Sequence, residues 1–390
     1  MAVAREGPLL ALLAFGNFIV GMGAFVVIGI VTPIAEGFGV SKASAGMVLT
    51  TYAIAYALLS PIGAAITGNL ARRTVLVSAL TLFLLGSIGS ALSSSITMLA
   101  ASRIVVALGA AMFTPIAAGV AVAVSSPEGR GKALATVFGG VTLAQVVGVP
   151  FGAWMAYRFG WASTFWAVAG LAVMGVAVLF FAIPRDVRFQ AAGVQAILAA
   201  MKDRHAMFAT AFTATFITAI YIVFTFFGPL IEASIGSNPE IRTGFLVLFG
   251  LGAVAGNYAG GFLTDRIGGK STLIIICIAQ ALIMPMFSII PLAPLVFAVL
   301  VGVWSAFGWS FMAPQQSRLA AIAPEAISLV LALNAAMIYV GIALGSAAAS
   351  YILDWKGLAA LGISGGLAVL LALAHLLLSG RSKALRGRSA

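Results

Sequence analysis

Formally uncharged stretches dominate the chain: residues 8–35, 43–71, 74–102, 104–127, 133–157, 159–184, 206–231, 243–264, 271–317, 326–353 and 357–380. Most match one bilayer thickness, because about 20 residues rising 1.5 Å each cover the hydrocarbon core. The stretch 271–317 is twice as long, and Pro291-Leu-Ala-Pro294 breaks it near the middle, since proline ends or kinks a helix. The pattern therefore predicts twelve membrane-spanning helices. Ser93-Ser-Ser95 separates the third from the fourth and leaves Arg103 inside helix four. The first stretch lacks a small-residue cleavage site and reads as a retained span, not a removed signal.

Composition agrees with this pattern. Only 8% of the 390 residues are charged and 62% are hydrophobic, which excludes a soluble globular protein. Lys and Arg exceed Asp and Glu by 11, a surplus that in a soluble chain would suggest nucleic acid. Alternating the spans places 16 of the 21 basic residues on the side of both termini, 4 on the other, and Arg103 within the membrane. Basic residues collect in cytoplasmic loops, so both termini are expected in the cytoplasm of a bacterial inner membrane, and no nucleic-acid partner is needed. The lone Cys277 lies within an apolar run and leaves no disulfide framework.

The longest polar interruption, Arg185 to His205, divides the chain into residues 1–184, a central cytoplasmic loop at 185–206, and residues 207–390. Within the loop, 194–201 is apolar enough for a short interfacial helix. The halves match when slid by about 196 residues. Pro33-Ile-Ala-Glu36 falls on Pro229-Leu-Ile-Glu232, and Ser41 falls near Ser237. Ile66-Thr-Gly68-Asn69-Leu-Ala-Arg72-Arg73 falls on Leu263-Thr-Asp265-Arg266-Ile-Gly268-Gly-Lys270. The expected fold is an all-α membrane protein of twelve transmembrane helices in two pseudo-symmetric six-helix bundles, with a cavity between repeats suited to alternating access.

These residues resemble the major facilitator superfamily. Gly261-Phe-Leu-Thr-Asp265-Arg266-Ile-Gly268-Gly-Lys270 is similar to its Gly-x-Leu-Ala-Asp-Arg-x-Gly-Arg-Lys signature. The resemblance implies a cytoplasmic latch of Asp265, Arg266 and Lys270, with Arg72 and Arg73 opposite them in the first half. There, Gly68 and Asn69 replace the expected Asp and Arg. Helix five carries Gly148-Val-Pro150-Phe-Gly152, followed by Phe159-Gly-Trp161, which looks like the antiporter string of the twelve-helix drug:proton antiporter family, in its arabinose-efflux-permease-like branch. Small residues allow close helix approach and proline bends the helix, so Gly148, Pro150 and Gly152 are gating candidates. Ser102-Arg103 with Gly109-Ala-Ala111 is similar to a third family motif, in which a buried arginine takes part in proton coupling. A monomer is the family expectation, and the resemblance spans essentially the whole chain.

Arg103 lies about 10 Å below the membrane surface at 1.5 Å per residue. A guanidinium there is paired, hydrated or functional, because membrane charges are costly. The family often has an acidic residue in helix one, in a Gly-x-x-Glu-Phe-Val string, but here the string reads Gly21-Met-Gly-Ala24-Phe25-Val26. Proton candidates therefore move to Glu36 and Glu232 at matching helix ends, where closure of a gate removes a carboxylate from water. Each is also readable as a solvated helix end. The resemblance places helices one, four, seven and ten around the cavity. On them, Asn17, Ala24 and Ile28 share one stripe with Gly21; Thr218, Tyr221 and Thr225 form another; Trp304, Phe307 and Phe311 continue to Gln315. Gln145 and Asn334 add isolated amides within apolar helices. Such a lining suits a small amphipathic or weakly polar solute, while packing between helices is the competing reading for each residue. His375 reads as a packing or lipid-edge residue.

No phosphate-binding Gly-x4-Gly-Lys-Ser/Thr loop and no cofactor signature is present. The expected function is a secondary transporter, with proton-coupled export the leading form. A proton-independent facilitator or anion exchanger using Arg103 is the alternative. A membrane-embedded enzyme would need clustered carboxylates or a nucleophile beside a base, which two separated histidines and one cysteine do not supply.

Overall fold

A computed structural model describes residues 6–67, 70–126, 129–183, 202–236, 238–324 and 327–379, except the side chains of residues 6, 61, 64–66, 327 and 328. Among the described residues there are twelve helices long and apolar enough to cross a membrane, and no strand. They are α1 (Gly7–Phe38), α2 (Lys42–Ser60), α3 (Arg72–Ala91), α4 (Ile96–Val124), α5 (Arg130–Phe159), α6 (Trp161–Ala182), α7 (Arg204–Ile235), α8 (Pro239–Ile267), α9 (Gly269–Ser288), α10 (Pro294–Ile322), α11 (Leu329–Lys356) and α12 (Ala360–Ser379). The break predicted at Pro291 and Pro294 is present: α9 ends in a tight 3₁₀ turn, Met284–Ser288, and Pro294 begins α10. The interfacial helix expected at 194–201, and Gly68, Asn69 and Ser237, lie outside the described residues.

The chain forms two compact units, Met1–Gly193 and Val194–Ala390. In the first, α1 packs on α5, α2 on α4 and α3 on α6; in the second, α7 packs on α11, α8 on α10 and α9 on α12. The pairings correspond helix for helix, as two copies of one six-helix pattern require. Side chains oxygen-cap several helix starts: Ser41 caps the start of α2, Ser95 α4, Asp203 α7 and Asn238 α8. The Asp203 cap starts α7 at Arg204, three residues before the expected domain start. Gly268, between α8 and α9, has φ +81°, a conformation only glycine adopts without strain, and this explains its place in the signature string.

Glycines set the closest helix contacts. A Cβ on Gly140 of α5 would stand 1.9 Å from the Ala14 carbonyl of α1, and one on Gly345 of α11 would stand 2.5 Å from the Thr218 carbonyl of α7. Farther along the same seam, Gly148 rests on Met22, and Gly152 on Val26. Between Gly140 and Gly148 the α5 backbone widens into a π-helical turn, Ala144–Gly148, closed by the Val149 amide donating to the Ala144 carbonyl.

Two further irregularities were not anticipated. Ile30 in α1 (φ −122°, ψ 16°) and Phe226 in α7 (φ −110°, ψ 28°) are non-helical, and they stand 196 positions apart. Pro33 and Pro229 follow each by three residues. Proline offers no N–H to the carbonyl four residues earlier, so the ladder opens at Gly29 and at Thr225. α7 is thereby divided into Arg204–Phe224 and a nine-residue tip, Phe227–Ile235.

Candidate functional site

In the first unit the polar chemistry converges on the middle of α1. Arg103 is fully buried; its Nη2 donates to the Gly23 carbonyl at 2.6 Å and to that of Ala24 at 3.5 Å. Its guanidinium lies 4.8 Å from the Tyr52 ring and 5.7 Å from the Phe165 ring. A backbone dipole and two π faces offset the loss of hydration where the family often has a carboxylate. Nε and Nη1 find no hydrogen-bond acceptor among the described residues. The helix-five string meets α1 on either side of this grip, at Met22 and Val26, and Thr164 of α6 fixes the same turn by donating to the Gly152 carbonyl at 2.7 Å.

Nearer the N-terminus of α1, Asn17 joins three helices: its Nδ2 donates to Val137 O of α5 at 3.1 Å and its Oδ1 accepts from Thr114 of α4 at 2.8 Å. The second unit repeats this junction with different side chains. Thr213 stands 196 positions after Asn17; its hydroxyl donates to Asn334 of α11 and accepts from Gln315 Nε2 of α10 at 3.0 Å. Gln315 Oε1 accepts from Arg318 at 3.2 Å, and Arg318 also donates to Ser379 of α12, so the second junction extends across four helices. His375 completes the α7–α12 contact, with Nδ1 3.2 Å from the Thr215 hydroxyl and Nε2 2.9 Å from the Phe208 carbonyl.

The other expected residues divide by environment. Ala24, Ile28, Tyr221, Thr225, Trp304 and Phe311 are buried, and Thr218 and Phe307 are partly so. Trp304 sits among Phe224, Phe227, Phe249 and Phe287, with ring centroids 5.0–6.0 Å apart. Phe311 stacks on Phe216 at 4.5 Å, and Thr218 donates to the Gly341 carbonyl at 3.3 Å. Gln145 is buried inside the π turn with no partner for its Oε1 among the described residues. Of the latch residues, Asp265, Arg266 and Lys270 are exposed, and Arg266 covers the Phe262 ring at 4.2 Å. Arg73 covers Phe180 at 4.6 Å.

Three basic residues counted as loop charge are instead helix residues with buried side chains. Arg72 begins α3 and donates to the Thr67 carbonyl at 3.0 Å, and Arg318 belongs to α10. Arg242, in the first turn of α8, pairs with Glu232 of the α7 tip at 3.1 Å. Counting charge by side of the membrane cannot separate a loop residue from the first or last turn of a helix, where a long side chain folds back against the bundle. Glu36, the counterpart of Glu232, is exposed. Among the described residues no group of three or more His, Cys, Asp and Glu is placed to hold a metal ion.

Among the described residues, twelve apolar helices in two matching six-helix units, with polar junctions inside each unit, define a multi-pass integral membrane protein. The Major Facilitator Superfamily model matches residues 13–322, and the chain belongs to that superfamily, whose members are transporters, not enzymes. It is 31% identical over 347 residues to the "Inner membrane transport protein YdhP" of Escherichia coli (strain K12), covering 89% of each chain. It is 29% identical over 362 residues to the "Uncharacterized MFS-type transporter YbcL" of Bacillus subtilis (strain 168), covering 93% of each. Among solved structures, the xylose transporter XylE from E. coli in a partially occluded inward-open conformation superposes with TM-score 0.76 at 14% identity, covering 96% of this chain and 97% of that one. A bacterial homologue of the human lysosomal transporter Spinster gives 0.73 at 16%, covering 97% of each.

Proposed function

We propose that the protein exports small amphipathic or weakly polar organic molecules across a bacterial inner membrane in exchange for protons. It works by alternating access, with both termini cytoplasmic. The carrying observation is that the antiporter-like string and the membrane arginine converge on one stretch of α1: Gly148 and Gly152 contact Met22 and Val26, and Arg103 holds the carbonyls between them. Any movement of α1 therefore changes the environment of Arg103 and the seam with α5 together. The inner-membrane placement of the YdhP relative supports the same placement here.

A second reading, a proton-independent facilitator or anion exchanger, draws on Ala24. Among the described residues no carboxylate is bonded to Arg103 and two of its nitrogens lack a protein acceptor, so an anionic solute group would be well served there. A thermal-shift screen of purified protein against a metabolite and drug library identifies solutes, because a ligand binding the folded state raises the melting temperature. Flux of the hits into inside-out proteoliposomes under an imposed pH gradient, without ATP, then separates the readings. Uptake driven by an acidic interior supports export; flux blind to the gradient overturns it in favour of the second reading.

A further inference from the structure

Resting on the proton-exchange reading, we propose that Glu232 is the group that takes up the exchanged proton, and that its protonation releases the tip of α7 to swing at the Phe226 break. A coupling carboxylate must be withdrawn from bulk water, and must have a partner that holds it while charged. Of the acidic residues on the twelve spans, Glu36, Glu240, Asp265 and Asp354 are exposed. Glu232 is not: its side chain is 11% exposed and faces the Arg242 guanidinium, itself 2% exposed, at 3.1 Å.

The tip is built to respond. Nine residues are too few for a helix to persist on its own hydrogen bonds, so Phe227–Ile235 holds its place by packing. The break beneath it has lost one rung to Pro229, and the Thr225 hydroxyl is occupied with the Tyr221 carbonyl at 2.6 Å. At its base, Phe227 lies 5.2 Å from Phe249 and 5.5 Å from Trp304, so a swing of the tip re-seats the aromatic cluster of α8 and α10.

Among the described residues, the charged groups on the elements packed around Glu232 are these. On the tip it is the one ionisable residue. The tip packs on α8 and on the N-terminal part of α10. From α8 come Arg242 and, two residues earlier in the same turn and exposed, Glu240; Pro294–Trp309 of α10 carries no charge. When a proton converts the Glu232 carboxylate to a carboxyl, Arg242 keeps its charge, the ion pair becomes a charge–neutral contact, and the tie between tip and α8 weakens. Loss of the proton restores it. No bond other than O–H is made or broken.

The α1 tip provides an internal contrast. Gly37 lies against the Trp161 indole and the Phe38 ring packs on it at 4.7 Å, while Glu36 points to the exposed side. That clamp has no titratable part.

The test uses the full chain in nanodiscs, with Cys277→Ser and spin labels at Ala233→Cys on the tip and Gly244→Cys on α8. Distances are measured by pulsed electron resonance in buffers stepped from neutral into acid. With Glu232 intact, a longer-distance population is expected to grow in acid, by up to about tenfold per pH unit, the slope of a one-proton equilibrium. Glu232→Gln is expected to show that population at every pH, and Arg242→Lys to keep the pH response. A distance that ignores pH when Glu232 is intact, or a Glu232→Gln variant that responds like the parent, overturns the proposal. If Glu232→Gln does not purify as a single species, the parent and Arg242→Lys decide by the same criteria. Flux separates this proposal from the one beneath it. If the parent ignores the pH gradient, the export reading fails; if the parent responds and Glu232→Gln responds equally, only the assignment to Glu232 fails.

Discussion

The two six-helix units solve one packing problem with different polar chemistry. In the first, Arg103 is held by backbone carbonyls and aromatic faces, and the junction at Asn17 ends after three helices. In the second, side chains hold one another: Asn334, Thr213, Gln315, Arg318 and Ser379 form a continuous run, and an ion pair ties the α7 tip. Backbone acceptors cannot be removed by substitution and do not titrate, whereas a side-chain run fails at any link. The comparison teaches that a shared framework leaves each copy free to place its adjustable parts, and here those parts lie in the second copy.

The largest expected effect comes from Arg103. Arg103→Met removes the cation yet leaves the Gly23 carbonyl able to keep its helical bond, so the fold should survive while solute flux falls below about a hundredth of the parent, as loss of a charged group used at a transition state typically does. Arg318→Met is the contrasting variant: flux should persist, and thermal melting in detergent should drop with loss of about 1.5–3 kcal/mol, the scale of hydrogen bonds made by a charged group to neutral partners. If both variants behave alike, the division of labour between the units is wrong.

Next in size is the glycine seam. Gly140→Ala drives a methyl toward the Ala14 carbonyl at 1.9 Å, and Gly345→Ala does the same toward Thr218 at 2.5 Å. Each should destabilise by about 1–3 kcal/mol, since both methyls meet backbone that cannot step aside, with Gly140 the worse because its approach is closer. Chemical-denaturant melts of the two variants rank them directly.

The junctions come third. Thr213→Val breaks two hydrogen bonds and Asn17→Leu also two, so each variant should cost about 1–3 kcal/mol, two interhelical bonds at about 0.6–1.7 kcal/mol apiece. Hydrogen exchange at α11 should rise with the first and at α5 with the second, and exchange at the other unit should not change. The smallest effect is expected from Trp161→Leu, about 0.5–1.5 kcal/mol for losing the aromatic contact to Phe38. It should loosen the α1 tip equally at every pH, measurable by cysteine accessibility at Val40.

Spans, the proline break after α9 and the internal repeat were readable because hydropathy, proline and self-similarity act locally along the chain. The partner of helix five was also within reach in kind, since Gly148 and Gly152 announce a close neighbour, although nothing in the string says that it is α1. What escaped was three-dimensional. Pro33 and Pro229 marked the repeat, but their consequence, a ladder opened at Ile30 and Phe226, was not drawn from them. Arg72, Arg242 and Arg318 were assigned to loops because the sidedness of charge is blind to burial. The grip of Arg103 on Gly23 could not be read at all, since a carbonyl leaves no trace in residue identity.

The widened turn in α5 has a geometric consequence of its own. At about 100° per residue, Gly140 and Gly148 in an unbroken α-helix would point roughly 80° apart. One residue absorbed by the bulge makes the interval equivalent to seven, about 20° from alignment, and so all three glycines at 140, 148 and 152 face the same neighbour. Straightening Ala144–Gly148 into regular α-helix with every residue kept would therefore turn the antiporter-like string about 100° away from its groove, whereas removing one residue from Ala144–Val147 would leave the three glycines in line.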